Sequence, residues 1–482
     1  MLYEPKGYFI HGRKVDPSKG ERFESFNPAT GAPLVLLGRG RAADVDAAVE
    51  SAAACFATKE WRRMAPADRG RLLLKVSAAI RQHEDELARL ESSDVGKPVS
   101  QALNDVRTAA RYFEYYGGMA DKVLGSVIPV RWGVLDLTMH EPYGVSAQII
   151  PWNFPISMGA RGIAPSLAAG NCVVAKPAEQ ASLTILRLAE LAFEAGLPAG
   201  AFNVVTGLGA EAGAALTENQ VVRHITFTGS VATGTAVMKS AANGVRPVAL
   251  ELGGKSPNIV FADVDLAKAS EFVARSIVVN AGQTCNACTR LIVHESAHDG
   301  LLDLVRGRFD KIRMGNPTDN PDLGPVITAD QRKRIRSYLE LARNDGADMS
   351  LHGAEPTDEA LSGGYFQQIA VIDGLNPQHK VYQEEIFGPV LAVTSFSNVE
   401  EALALANGSE YGLVAGVWTK DVSLAMQASQ RIESGQVYIN GWGTGGSVEV
   451  PFGGYKKSGI GREKGEEGLL HYMQTKSIST HF

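Results

Sequence analysis

The stretch Ile225-Thr-Phe-Thr-Gly-Ser-Val-Ala-Thr-Gly234 reads as a strand, a tight turn and the start of a helix. Branched and aromatic side chains from Ile225 to Phe227 suit a buried pleated strand. Gly229 permits close backbone approach, and Ser230 suits a helix N-cap, where unpaired N–H groups favour an anion. Moving outward, Val145 to Ile150, Cys172-Val-Val-Ala175 and Asn203-Val-Val-Thr206 supply further strands, and Leu183 to Phe193 a helix stopped by Gly196-Leu-Pro198. Alternating strand and helix predicts an α/β fold, with glycine-rich strand-to-helix loops that permit close backbone approach to a ligand. Gly207-Leu-Gly-Ala-Glu-Ala-Gly213 departs from the usual dinucleotide string, its last spacing being one residue longer, so it reads equally well as a plain strand-to-helix turn.

With 482 residues the chain is too long for one ordinary core, which predicts two or three domains. Its net charge of −6 offers no general attraction to nucleic acid or an anionic membrane. No 18-residue apolar run occurs, and Met1-Leu-Tyr-Glu-Pro5 does not open a basic-then-apolar leader, so a cytoplasmic protein is expected. Of the four cysteines, Cys55, Cys172, Cys285 and Cys288, only the last two are close. With no second pair, and only His294 and His298 nearby, no metal is expected.

Helical periodicity runs from Ala42 to Phe56, Arg69 to Ser92 and Gln101 to Tyr116. Val123 to Val130 and Trp132 to Thr138 read as two strands, a ribbon marginal in water without a partner surface. Beyond Leu252 the alternation resumes, with helices expected over Ala267 to Val278, Leu301 to Arg313, Ala329 to Arg343 and Val399 to Asn407. Strands are expected at Val390 to Phe396 and Gln436 to Ile439.

The chemistry concentrates in Ser276-Ile-Val-Val-Asn-Ala-Gly-Gln-Thr-Cys-Asn-Ala-Cys-Thr-Arg290 and Glu251-Leu-Gly-Gly-Lys-Ser-Pro257. Gly282 and Gln283 break an apolar run and deliver Cys285 on a turn. A thiol becomes a strong nucleophile as its thiolate fraction rises, and a carboxylate within reach serves as base. Glu251 lies between an apolar run and two glycines, where a carboxylate is costly to bury without a role. Without other motifs, a core cysteine beside a solvated glutamate is an equal reading.

Glu141-Pro-Tyr-Gly-Val-Ser-Ala-Gln-Ile-Ile-Pro-Trp-Asn-Phe-Pro155, the Ile225–Gly234 run, Lys176-Pro-Ala-Glu179, the Glu251 and Cys285 motifs, Glu384-Glu-Ile-Phe-Gly-Pro389 and Pro451-Phe-Gly-Gly-Tyr-Lys456 occur in an order that resembles the NAD(P)-dependent aldehyde dehydrogenase superfamily, hydrolytic rather than CoA-acylating. The resemblance covers essentially the whole chain. It implies a Rossmann-like NAD-binding domain over 1–122 and 142–252, an α/β catalytic domain over 253–455, and an oligomerisation arm and tail over 123–141 and 456–482. It further implies Cys285 as nucleophile, Glu251 as the base that activates water, and Asn153 with the Cys285 N–H as oxyanion donors. Cofactor contacts carried over are Ile149, Trp152, Lys176, Glu179, Gly209, Phe227, Gly229, Ser230, Gly234, Leu252, Glu385 and Phe387. A carboxylate at Glu179 accepts from an unmodified ribose and repels a 2′-phosphate, which favours NAD, with NADP as a weaker cosubstrate.

For the substrate, the resemblance points to Arg161, Asn440 and Phe452. Arg161 stands where several relatives carry an aromatic residue and others an arginine, and its planar fork suits a carboxylate. The expected substrate is therefore a small aldehyde with a carboxylate end. The alternatives are a neutral aliphatic or aromatic aldehyde, with Arg161 paired internally, for example to Glu114, and a catalytically inert structural protein on the same fold. A homo-oligomer, either a dimer or a dimer of dimers, is the expected assembly.

Overall fold

The computed structural model describes Pro5 and residues 7–482, so Met1 to Glu4, part of the N-terminal stretch read above, lie outside the described residues. Two large sheets organise it. The first has eight strands in the order 13–15, 8–10, 202–204, 172–177, 145–150, 222–228, 248–251 and 459–460. Its five central strands, 202–204 through 248–251, are mutually parallel, with antiparallel strands at both edges. From the central strand Val145–Ile150 the chain first winds one way through helix Pro155–Ala169 to 172–177, and later resumes on the other side at Val222–Thr228. That reversal opens a crevice beyond the carboxyl ends of strands 145–150 and 222–228, as expected of a doubly wound sheet.

The second sheet has seven strands in the order 348–352, 369–373, 390–396, 290–294, 257–260, 414–418 and 436–439, all parallel except the first pair. Each sheet has its own buried apolar cluster. Strand Val248–Glu251 ends in the first sheet and Pro257–Val260 starts in the second. The glycine-bearing motif at Glu251 is therefore the crossing between the two halves.

Several sequence readings shift. The helix expected over Arg69 to Ser92 is two helices, Pro66–Gln82 and Glu84–Val95, which meet at His83. The break is local: His83 leaves helical geometry and its ring contacts Glu86 at 2.8 Å. Of the two ribbon strands, Val127–Ile128 is only a two-residue strand, and the other is Val134–Pro142. The segment after Lys456 divides: Gly459–Ile460 edges the first sheet, helix Gly465–Leu470 lies against helix Pro155–Ala169, and Met473–His481 pairs along Val134–Pro142. Among the described residues no helix is long and apolar enough to cross a membrane, and no group of three or more His, Cys, Asp or Glu side chains is arranged to hold a metal.

Candidate active site

Cys285 is placed by an unusual turn. Helix Leu266–Val278 ends, and Asn280, Ala281 and Gly282 then take positive φ values of 49°, 53° and 71°. Such a run is costly for residues with a side chain, and it is held by a dense set of bonds. Asn280 Nδ2 donates to the Asn153 carbonyl at 3.0 Å, and Gln283 Nε2 donates to the Asn280 carbonyl at 3.0 Å. Gln283 Oε1 accepts from the Ile327 N–H at 2.9 Å. A Cβ on Gly282 would come within 2.2 Å of the Gly388 carbonyl oxygen, so only glycine fits there. The turn is thus tied both to the first sheet's crevice and to the Glu384–Pro389 segment.

Cys285 opens on a cavity of 330 Å³. Trp152 and Asn153 reach it from the end of strand 145–150, Gly229 and Ser230 from the end of 222–228, and Glu251 and Leu252 from the end of 248–251. Glu385 and Phe387 close it from the second half. Strands far apart in sequence therefore converge on one crevice.

Burial pushes the Cys285 thiol up, Glu251's negative charge adds to the effect, and Arg161 opposes it. The resting sulfur is a thiol that needs a base. Glu251 is buried, so its own proton affinity is raised, chiefly by desolvation, with Arg161 pulling the other way and Glu463 reinforcing the rise. Its Oε2 accepts from Arg161 at 3.1 Å, whereas Oε1 is buried with no nitrogen or oxygen donor. An acceptor left open beside a thiol is chemically suited to take a proton from it or from a water. Asn153 Nδ2 gives one hydrogen to the Gln283 carbonyl at 3.0 Å, and its second is uncommitted.

Cofactor-facing features fit a dinucleotide. Ser230 caps helix Val231–Ala242, its hydroxyl accepting from Thr233 N at 3.2 Å. Added Cβ atoms at Gly229 and Gly234 would lie 2.6 Å from the Phe227 ring and 2.5 Å from Leu252, which shows how tightly the helix start is drawn onto the sheet. Glu385 Oε1 accepts from Gly254 N–H at 2.8 Å, and burial pushes its carboxyl up to about 7. Phe387 holds φ at 61° and meets Trp152 edge-on with centroids 5.3 Å apart.

Other expected contacts do not line this cavity. Ile149 is half-buried against the edge of the first apolar cluster, and Lys176 pairs with Glu179 at 3.1 Å beyond the cavity. Gly209 starts a π-helical turn, Gly209–Gly213, whose last residue approaches Lys176. That grouping at the end of strand 172–177 marks where an elongated ligand would continue.

Two substrate expectations are corrected. Arg161 is not free for a substrate carboxylate: its guanidinium pairs with Glu251 at 3.1 Å and Glu463 at 2.5 Å, both deeply buried. Nor does it pair with Glu114, which instead meets Arg81 at 2.9 Å and Arg111 at 3.6 Å. Asn440 is exposed, and its amide is spent on both backbone groups of Thr419, at 3.1 and 2.9 Å, away from the cavity. Phe452 does reach the site, buried in a cluster with Cys285, Cys288 and Tyr438. Trp442 packs against that cluster and donates Nε1–H to the Asn286 carbonyl at 2.9 Å.

The sequence reading missed Met158, Thr228, Gln331, Arg334 and Glu463. Gln331 Nε2 donates to the Ile386 and Phe387 carbonyls at 3.1 and 2.7 Å, and Arg334 donates to the Glu385 carbonyl at 2.7 Å. Their i, i+3 spacing on helix Ala329–Asn344 put both on one face, a signal read only as amphipathicity.

The sequence model of the aldehyde dehydrogenase family matches residues 15–478. The chain belongs to that family. Among its members, the Bacillus subtilis (strain 168) protein DhaS is 40% identical over 480 residues, spanning 99% of this chain and 96% of its own. A crystal structure from Burkholderia cenocepacia superposes with a TM-score of 0.97 at 45% identity, covering 98% and 99% of the two chains. The P. syringae indole-3-acetaldehyde dehydrogenase AldA, solved with NAD+ and IAA, gives 0.97 at 37% identity, covering 100% of this chain and 97% of its own. The family's two-domain architecture with an extension arm is the one described above.

Proposed function

We propose that this NAD-dependent aldehyde dehydrogenase oxidises a neutral aldehyde to the carboxylic acid through a thioester on Cys285, hydrolysed with the help of Glu251. The observation that carries the reading is that Cys285 and Glu251, both buried, line one cavity with Glu385, Phe387 and Ser230 at the helix start. Glu251 takes the thiol proton, and the thiolate adds to the aldehyde carbon. The Asn153 amide and the Cys285 N–H receive the resulting oxyanion. Glu385 and Phe387 would hold the nicotinamide of NAD, which would accept the hydride that the adduct carbon loses as the thioester forms. Once the thioester has formed, Glu251 releases the thiol proton to solvent; it then draws a proton from water as the water attacks, the adduct expels the sulfur to give the carboxylic acid, and that proton returns to the thiolate. A neutral substrate is favoured because Arg161 already faces two carboxylates, and because the similar AldA acts on indole-3-acetaldehyde. Assaying NADH formation over matched neutral and carboxylate-bearing aldehydes, with and without CoA, tests this. A strict CoA requirement, or strong preference for the acidic substrates, would overturn it.

Cofactor choice rests on Glu179 beside Lys176. Glu179→Ser should move the ratio of kcat/KM for NAD over NADP towards NADP by about 1 to 3 kcal/mol, as a repulsive charge is removed. An unchanged ratio would assign selection elsewhere.

Self-association is the proposed assembly. On the arm, Trp132 is 100% exposed, with Leu124 at 79% and Val127 at 72%, an apolar edge that a single chain leaves in water. Sedimentation should give a dimer or tetramer for the intact chain, and Trp132→Lys with Val127→Lys should shift it towards monomer. A monomeric wild type would refute the assembly.

A further inference from the structure

Glu251 is not faced by Arg161 alone. Arg161 comes from helix Pro155–Ala169 and Glu463 from the turn before helix Gly465–Leu470, while Cys285 arrives from the second half of the molecule. Lys464 and Glu385 complete the charged groups that act on Glu251 or on which it acts. Arg161 is 5% exposed and Glu463 6%. Thr228 Oγ1 also accepts from Arg161 at 3.5 Å, and the guanidinium lies over the Phe452 ring at 5.3 Å from its centroid. The arginine is therefore fixed on three sides before it meets Glu251. The Glu463 backbone is in turn locked to Phe452 by reciprocal N–H to carbonyl bonds of 2.7 Å.

We propose that Arg161 is a positioning residue, anchored by Glu463, that holds Glu251 as an aimed carboxylate beside Cys285 and leaves substrate recognition to the apolar walls. The proposal rests on the reading of Glu251 as the hydrolytic base. Two facts give it content. Arginine stays charged under all working conditions, so it is a fixed electrostatic support. It also engages Oε2 only, which leaves Oε1 as the proton acceptor. Burial alone would lower Arg161's affinity for its proton, but Glu463 and then Glu251 more than offset it. A buried carboxylate without such a neighbour takes up a proton at higher pH and fails as a base in the lower range. Glu463 matters equally: without that second anion, Arg161 would have Glu251 as its only anionic partner and make it a poorer base.

The test is the pH dependence of the steady rate of NADH formation, with a short neutral aldehyde. In Arg161→Met the acid limb should move upward by about one unit or more, a loss of roughly tenfold at low pH that is largely recovered at high pH. Arg161→Lys should restore most of the limb. Glu463→Gln should instead lower the plateau, with the acid limb at or below its wild-type position. NAD binding and the far-ultraviolet spectrum check folding; if Arg161→Met fails to fold, Arg161→Lys and Glu463→Gln carry the comparison. A uniform loss across pH in Arg161→Met, an unmoved limb in Glu463→Gln with an unchanged plateau, or an increase in KM confined to acidic aldehydes would overturn the proposal. If Glu251→Gln turns over at the wild-type steady rate with no burst, the base assignment itself has failed, a result distinct from an unmoved limb in the arginine variants.

Discussion

Cys285→Ala abolishes NADH formation, by ~10⁴-fold or more, while NAD binding persists. The expectation follows from how the cavity is divided. Trp152, Gly229, Ser230, Leu252, Glu385 and Phe387 line the cavity, and none of them depends on the sulfur for its position. The turn at Asn280–Gly282 is held by the Asn280, Gln283 and Asn153 amides, so truncating the cysteine removes the nucleophile without releasing the loop. Quenching of tryptophan fluorescence by NAD, with Trp152 in the cavity wall, reports the retained binding. Cys288→Ala is the matching control. Cys288 is fully buried, and burial pushes its thiol up to about 12, so it holds no thiolate at working pH. Its variant should keep most of the activity. Turnover retained in Cys285→Ala, or an equal loss in Cys288→Ala, would remove Cys285 from the chemistry.

How far the sequence spoke depends on the range of the interaction. Strand and helix placement around Ile225–Gly234 was legible because apolar period, turn glycines and a serine cap act within a few residues of one another. The α/β class stands in the structure; Cys285, Glu251 and Asn153 line one cavity there, and the tail strand Met473–His481 pairs along Val134–Pro142. What escaped was pairwise chemistry across long separations. Arg161 and Glu463 lie in different elements, and a buried guanidinium looks the same in sequence whether its partner is a substrate or a second glutamate. Glu114 was a reasonable partner by charge, but helix Val99–Met119 presents it to Arg81 on the outside. The resemblance points to Asn440 for the substrate, yet at a positive φ of 53° its amide pairs with Thr419. The same limit hid Gln331 and Arg334, whose contacts are backbone carbonyls of the Glu385–Phe387 segment.

Glu251→Gln separates the two halves of the reaction. The substitution keeps the shape of the side chain and removes both its charge and its ability to take a proton. Thiolate formation is affected in two opposed ways, since Glu251's charge holds the Cys285 proton on while its carboxylate is the group that receives it. With Arg161 still beside the sulfur, thiolate forms at higher pH without the base, so acylation and hydride transfer survive there. Hydrolysis has no such substitute: Oε1 is the open acceptor on that face, and a glutamine amide cannot accept the proton of an attacking water. Rapid mixing with NAD and a neutral aldehyde should show a burst of NADH near one equivalent per subunit, followed by turnover slowed by about 10²- to 10⁴-fold. The stalled acyl-enzyme should be visible by mass spectrometry as the acyl group on the Cys285 peptide, and hydroxylamine, attacking the thioester without a base, should release it. A steady rate equal to wild type with no burst would exclude Glu251 as the deacylating base. A burst lost together with the steady rate, across the whole pH range, would show that the same carboxylate is indispensable for forming the thiolate.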